Sequence, residues 1–219
     1  SLKADGYDAI FMGIGAWQDS SLRVEGEQLK GCWTGINFLS RLAGGEQIPT
    51  GRSAVIIGGG NTAIDCTRNL LRLGVEEVNL VYRRTRNEMP ANPVEIEAAE
   101  EEGVKFTFLA APVRVVGDEN GVTTHLEYLK MELGEPDASG RRRPVPVEGS
   151  ETLMQTDMVI TAIGQSPDIS FTEQLEGQLA ELKTTRWNTI EVDPATLQSD
   201  IPYIFCAGDA ATGPSLVVD

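Results

Sequence analysis

The chain is poor in the residues that most redox and metal chemistry needs. Its 219 residues include three cysteines and one histidine. Cys32, Cys66 and Cys206 lie far apart and form no C-x-x-C pair, which argues against a redox dithiol of that type and against iron–sulfur ligation. An odd count without close spacing fits a reducing cytoplasm, with each thiol acting as a small core residue. His125 sits mid-strand in THLEYL and reads as structural. Positive charge is also short: 18 Lys+Arg stand against 33 Asp+Glu, a net charge of −15. That excess argues against nucleic acid and against anionic membrane as general partners. There is no signal-peptide pattern and no apolar run long enough to span a bilayer, so a cytoplasmic location is expected. Hydrophobic residues make up 41%, enough for a substantial core.

What is present is organised around residues 52–86. An apolar run, Ala54-Val55-Ile56-Ile57, leads into Gly58-Gly59-Gly60-Asn61-Thr62-Ala63, then an amphipathic segment to Leu73, Gly74, a second apolar run from Val78 to Tyr82, and Arg83-Arg84-Thr85-Arg86. The order predicts strand, glycine turn, helix, strand. Gly58-x-Gly60-x-x-Ala63 fits the dinucleotide fingerprint, with alanine at the third small position. Gly58 allows the tight turn, Gly60 lets the backbone approach a pyrophosphate, and Ala63 permits close helix–strand packing. Asn61 and Thr62 open the helix whose amides and positive dipole end would face the phosphates.

The residues after the second strand select the nucleotide. A site for NAD usually ends that strand with an acid that accepts from the ribose 2′-OH. Here the position falls on Tyr82 or Arg83, and no acid appears before Glu88. Arg83 and Arg84 would instead meet the 2′-phosphate of NADPH. Each charge-assisted hydrogen bond contributes about 1.5–3 kcal/mol, so the pair would favour NADPH over NADH about a hundredfold or more. A second basic island, Arg141-Arg142-Arg143, lies between Gly and Pro and reads as a solvated loop or strand edge.

The rest of the chain fits around this unit. Tyr7 to Ile14 has a buried-strand pattern with little before it to pair with. Gly31 to Ala43 carries Trp33, Ile36, Leu39 and Leu42 at helical spacing, and Gly45 to Gly51 reads as a linker. Gly74 suits the residue after the helix that starts at Asn61, and Asp65 complements that helix's dipole rather than doing chemistry. Pro93 suits the first position of a helix ending near Glu102. Lys105 to Leu109 is a third strand, completing β-α-β-α-β. Then Val113–Val116, Val122–Leu133 and Arg143–Val147 predict an antiparallel meander. It returns the chain to the sheet at Asp157 to Ile163. Beyond it come an acidic, partly helical stretch from Ile169 to Leu182, short strands at Thr189–Val192 and Tyr203–Phe205, and the start of a helix at Pro214 to Val218. Both ends look cut, so a fragment of a longer protein is expected. The predicted class is α/β: a Rossmann-like nucleotide-binding domain with a parallel sheet and a β-meander crossover.

These motifs resemble the glutamate synthase small-subunit family of FAD-dependent pyridine-nucleotide oxidoreductases, and also the flavin region of dihydropyrimidine dehydrogenase. The resemblance covers nearly the whole chain. It is carried by VIIGGGNTAIDC (Val55–Cys66), VYRRTRNEMPA (Val81–Ala91), the acidic run from Glu95 to Gly103, TAIGQSPD (Thr161–Asp168) and IFCAGDAATGPS (Ile204–Ser215). It implies nested domains: an FAD-domain segment and linker over 1–49, an NADP(H)-binding domain over 50–164, and a further FAD-domain segment over 165–219. It also implies that Gly164 and Gln165 mark the crossover near the nicotinamide and that Gly208 and Asp209 face the flavin. Gly13-Ile14-Gly15 stands where the family has an Ala-Thr-Gly-like turn. The family's first FAD fingerprint is missing, which implies weak or absent FAD binding by this chain.

In that family NADPH gives hydride to FAD, and electrons pass on through iron–sulfur clusters held on other segments or a large subunit. The cofactors carry the chemistry and the protein positions them, so no catalytic nucleophile, no acid–base dyad and no metal site is expected. The alternative is a nucleotide-binding or assembly module without turnover in isolation. On sequence grounds, replacing Arg83 and Arg84 together by Ala should abolish the NADPH preference; equal relative affinities before and after replacement would refute the assignment.

Overall fold

A computed structural model describes residues 2, 4–136, 140–171 and 182–215. The strands are β1 (Ile10–Met12), β2 (Gln18–Asp19), β3 (Cys32–Thr34), β4 (Ser53–Ile57), β5 (Glu77–Tyr82), β6 (Lys105–Phe108), β7 (Ala110–Gly117), β8 (Thr123–Pro136), β9 (Arg142–Pro146), β10 (Thr152–Gln155), β11 (Met158–Thr161), β12 (Gln165–Ser166) and β13 (Ile204–Cys206). The helices are α1 (Gly35–Ala43), α2 (Asn61–Arg72), α3 (Pro93–Glu101) and α4 (Asp209–Thr212). The chain divides into two compact units, one made of Asp19–Ile163 and the other of Ser1–Gln18 with Gly164–Asp219.

In the larger unit five strands form a parallel sheet in the order β3-β11-β4-β5-β6. A parallel sheet covered on both faces needs near-continuous apolar strands, and β4 supplies one: Ala54, Val55, Ile56 and Ile57 are all buried. The side-chain period of two sorts them. Ala54 and Ile56 join the core under the helices with Phe38, Ile64, Leu70, Leu80 and Ile96. Val55 and Ile57 join a second core with Val81, Val115, Leu126 and Val159 under β7 and β8. Each such side chain contributes about 1.5–3 kcal/mol through burial. The result is three layers, Rossmann-like in the sheet and its helices, with an antiparallel meander on the other face. β8 is its spine, pairing with β7, β9 and β10.

The helix ends follow their local chemistry. α2 stops in a Schellman motif: Val75 N–H donates to Leu70 O at 3.1 Å, Gly74 N–H to Leu71 O at 2.9 Å, and Gly74 takes φ 88°. α3 begins with Pro93 in its first turn, and Asn92 Oδ1 accepts from Val94 N–H at 3.1 Å. Arg68 of α2 reaches across to α3, pairing with Glu95 and, at 2.7 Å, with Glu102.

Four expectations shift. Cys32–Thr34 is a strand, not the first turn of a helix, because it pairs in parallel with β11; Trp33 then reaches the helix-side core from the sheet. The compact unit accordingly starts at Asp19, well before residue 50. β10 was not foreseen. Tyr7–Ile14 is a strand only over Ile10–Met12; it pairs in parallel with β13, and Phe11 is 65% exposed. The expected helices over 169–182 and 214–218 fall largely on 172–181 and 216–219, outside the described residues. In the smaller unit Ile190, Cys206 and Ala210 form the core, beside the β1–β13 pair. No helix among the described residues is long and apolar enough to cross a membrane.

Asp157 fastens the entry to the sheet. Its Oδ2 accepts from Arg52 N–H at 2.8 Å, Ser53 N–H at 3.0 Å and Ser53 Oγ at 3.0 Å. Burial pushes its carboxyl up, but the hydrogen bonds of Ser53 and of the Arg52 amide outweigh that and hold it below the usual carboxylate range. A depressed carboxyl stabilises the fold above its ordinary pKa, and this stabilisation is lost as pH falls through the folded value. Asp157→Asn should therefore lower stability at pH 7 by about 1 kcal/mol for this solvent-exposed group. The gap to the wild type, present at pH 7, should narrow at about pH 3, below the ordinary carboxylate value. Denaturant unfolding at both pH values checks this, and a gap independent of pH would contradict it.

Candidate functional site

The sheet order places a switch point at the carboxyl ends of β4 and β11. From β4 the chain winds outward through β5 and β6, while β11 and β3 lie on the other side. Ligands of doubly wound sheets settle in the crevice at such a point. The glycine turn lies there, and its three glycines have three different reasons to lack a side chain.

A Cβ on Gly58 would stand 2.1 Å from the Ala162 carbonyl oxygen, just past β11. The Gly58 amide donates to Val81 O at 3.1 Å, and Ala162 N–H donates to Ile57 O at 2.8 Å, so the turn is wedged between neighbouring strand ends. A Cβ on Gly59 would stand 2.5 Å from the Tyr82 ring. Gly60 is different: it has ordinary φ of −92°, and a Cβ there would meet no described atom within 4 Å. Gly58 and Gly59 are required by packing, whereas Gly60 leaves open space at the amino end of α2. That is the cradle a pyrophosphate needs, and the residues present fit one.

The neighbouring positions are held from several sides. Ala63 is fully buried, 3.2 Å from where a Gly58 Cβ would lie. Thr62 lays its methyl against Gly35, where an added Cβ would come within 2.9 Å. Asn61 Oδ1 accepts from Asn92 N–H at 2.9 Å, so this side chain tethers the start of α3 as well as opening α2.

The arginines part company. Arg83 is exposed. Arg84 is only 4% exposed, and its Nε donates to Arg142 O at 2.7 Å on β9. Arg86 pairs with Glu100 of α3. The solvent-facing guanidinium of the expected pair is therefore that of Arg83, and Arg84 is a buried tie to the meander.

A set of residues between β5 and α3 went unforeseen. The Tyr82 hydroxyl donates to Glu88 O at 2.8 Å while its ring lies against Gly59. Glu88 Oε2 accepts from Thr85 N–H at 3.0 Å and from the Thr85 hydroxyl at 2.5 Å, closing a capping box around a 3-10 turn over Arg86–Glu88. The Thr85 hydroxyl holds the Glu88 carboxyl below its usual range. Ala91 N–H then returns to Gly59 O at 3.1 Å. The Thr-x-x-Glu spacing was visible in the sequence; the Tyr82–Gly59 contact was not.

Gly164, Gln165, Gly208 and Asp209 belong to the other unit. Gly164 is exposed with φ 126°, and Gln165 lies in β12, paired with β2. Gly208 takes φ 66° before α4, and Asp209 Oδ1 accepts from Ser215 N–H at 3.2 Å. His125 is half-buried, its Nδ1 3.1 Å from Thr124 Oγ1. The three cysteines are free thiols, and burial pushes each of them above its ordinary pKa. Among the described residues no cluster of His, Cys, Asp and Glu could hold a metal.

Comparison with known proteins finds relatives over nearly the whole chain. The chain is 43% identical to the NADPH-Fe(3+) oxidoreductase subunit beta of Geobacter sulfurreducens, over 97% of this chain and 34% of that protein. It is 42% identical to the NADP(+)-dependent formate dehydrogenase subunit beta of Moorella thermoacetica, over 97% and 30%. It is 35% identical to the glutamate synthase [NADPH] small chain of Azospirillum brasilense, over 96% and 45%. The chain thus spans between 30% and 45% of the length of these relatives. Its fold matches Mycobacterium tuberculosis FprA in complex with NADPH, with TM-score 0.74 at 19% identity, over 99% of this chain and 61% of that one. The pyridine nucleotide-disulphide oxidoreductase family model matches residues 2–219. The chain belongs to the pyridine nucleotide-disulphide oxidoreductase family, with glutamate synthase small chains among its relatives.

Proposed function

We propose that this chain is the NADPH-binding part of a flavin-dependent oxidoreductase. The observation that carries the reading is the glycine turn at the β4/β11 switch point, with Gly60 open and an exposed arginine, not an acid, just after β5. The amino end of α2, at Asn61 and Thr62, holds the diphosphate. Gly58 and Ala63 set the height of the turn, and Arg83 meets the 2′-phosphate. Arg84 supports that loop from beneath. The names of the relatives, which specify NADPH or NADP(+), point the same way.

When bound, the cofactors supply hydride transfer from the nicotinamide to the flavin. The residues of this chain bind and orient. Gly164 and Gln165 serve as the crossover beside the nicotinamide, and Gly208 and Asp209 serve as flavin contacts, with Asp209 acting as an acceptor and not as a proton donor. Onward transfer goes to an iron–sulfur segment or partner subunit, as the relatives' designations as subunits of larger enzymes suggest. A second reading is a nucleotide-binding or assembly module without turnover of its own, in which the same glycine turn holds a nucleotide. Reduction of a dye acceptor by NADPH with added FAD separates the two: turnover favours the first and binding without turnover the second.

Calorimetric titration tests the site. The wild type should bind NADPH more tightly than NADH. Arg83→Ala should cut that preference about tenfold or more, one charge-assisted hydrogen bond being lost. Gly60→Val should abolish NADPH binding with little change in melting temperature, because its Cβ enters open space. Gly59→Val should destabilise the fold by forcing the Tyr82 ring aside. NADPH binding that survives Gly60→Val would contradict the proposal.

A further inference from the structure

The second basic island, Arg141-Arg142-Arg143, is exposed at the start of β9, an edge strand, as its sequence suggests. Its middle residue opens β9 and meets the loop that follows β5: the Arg142 carbonyl receives the buried Arg84 guanidinium at 2.7 Å. The Arg142 side chain folds back onto its own hairpin, donating from Nη2 to Leu133 O at 2.5 Å and from Nε to Gly134 O at 3.1 Å. The strand is thereby fixed at both its backbone and its side chain. Arg141 and Arg143 flank the fixed residue, both exposed. Two further hydrogen bonds link this loop to β8, the partner of β9, from Leu109 N–H to Arg84 O at 3.1 Å and from Met131 N–H to Leu109 O at 2.7 Å.

Charge gives the arrangement its meaning. Two described acids near this loop, Glu88 within it and Glu100 on α3, are engaged. Glu88 is held by Thr85, with the Arg142 charge acting on it too, and Glu100 is held by Arg86. Glu132 and Glu135 of β8 are exposed on the adjoining strand. In a chain of net charge −15, the Arg84–Arg142 tie sets a segment with two exposed arginines beside the loop that carries Arg83. A buried guanidinium is costly unless hydrogen-bonded, and here it is placed so as to hold the two segments in register.

We propose that β9 forms the second wall of the 2′-phosphate site: Arg141 and Arg143 add to Arg83 in recognising a phosphomonoester on the adenosine ribose, and Arg84 is the positioning residue that brings them there. This rests on the nucleotide assignment above and extends it to a hairpin that the dinucleotide fingerprint does not contain.

Titration with 2′-phospho-AMP and 5′-AMP separates the claims. Arg141→Ala with Arg143→Ala should weaken 2′-phospho-AMP binding about five- to tenfold, as expected for two exposed charges, and should reduce its salt dependence. Binding of 5′-AMP should be unchanged. Arg141→Lys with Arg143→Lys should restore most of the affinity, an outcome that a merely structural role would not give. Arg84→Met, checked for folding by circular dichroism, should weaken 2′-phospho-AMP selectively as well. If Arg83→Ala weakens 2′-phospho-AMP and the β9 pair does not, the hairpin proposal is overturned while the nucleotide assignment stands. If neither change matters, both fail.

Discussion

The contact on which the site depends is the seating of Gly58 and Gly59 between two strand ends. Gly58 lies against the Ala162 carbonyl beyond β11, and Gly59 lies on the Tyr82 ring at the end of β5. Neither position has room for a Cβ, so the turn cannot rise or roll without opening the sheet. The parts of this unit that would touch a nucleotide are fixed relative to this wedge. α2 starts immediately after it, and the loop carrying Arg83 is bound back to it through Ala91, Asn92 and the Tyr82 hydroxyl.

Preorganisation of this kind explains how so polar a loop can be ordered beside an open cradle. Holding a charged side chain near a ligand has an entropic cost, and that cost is reduced when the backbone carrying it is already fixed. The capping box of Thr85 and Glu88, the tether from Asn61 and the buried Arg84 each remove freedom from residues 83–92 before any ligand arrives. Glu95, Glu100 and Glu102, in and just after α3, pair with Arg68, Arg72 and Arg86, while Arg83 is exposed after β5.

Much of this was legible in the sequence because it is local. The fingerprint glycines, Gly74 after α2, Pro93 in the first turn of α3 and the alternating meander all report short-range backbone chemistry, and the structure has them where expected. Misplaced features depend on distant pairing. Cys32–Thr34 reads as helix because Trp33, Ile36 and Leu39 keep helical spacing, and only its partner β11, more than a hundred residues away, makes it a strand. Arg83 and Arg84 are chemically identical in sequence; a carbonyl on β9 decides that one is buried. Gly59 is unmarked in the fingerprint, yet a tyrosine ring requires it.

A crystal structure of the chain with NADPH bound tests the central claim most directly. The account predicts the diphosphate over Gly60 at the amides of Asn61 and Thr62, with the 2′-phosphate within hydrogen-bonding distance of the Arg83 guanidinium. A nucleotide seated away from the glycine turn, or a 2′-phosphate out of reach of Arg83, would contradict it.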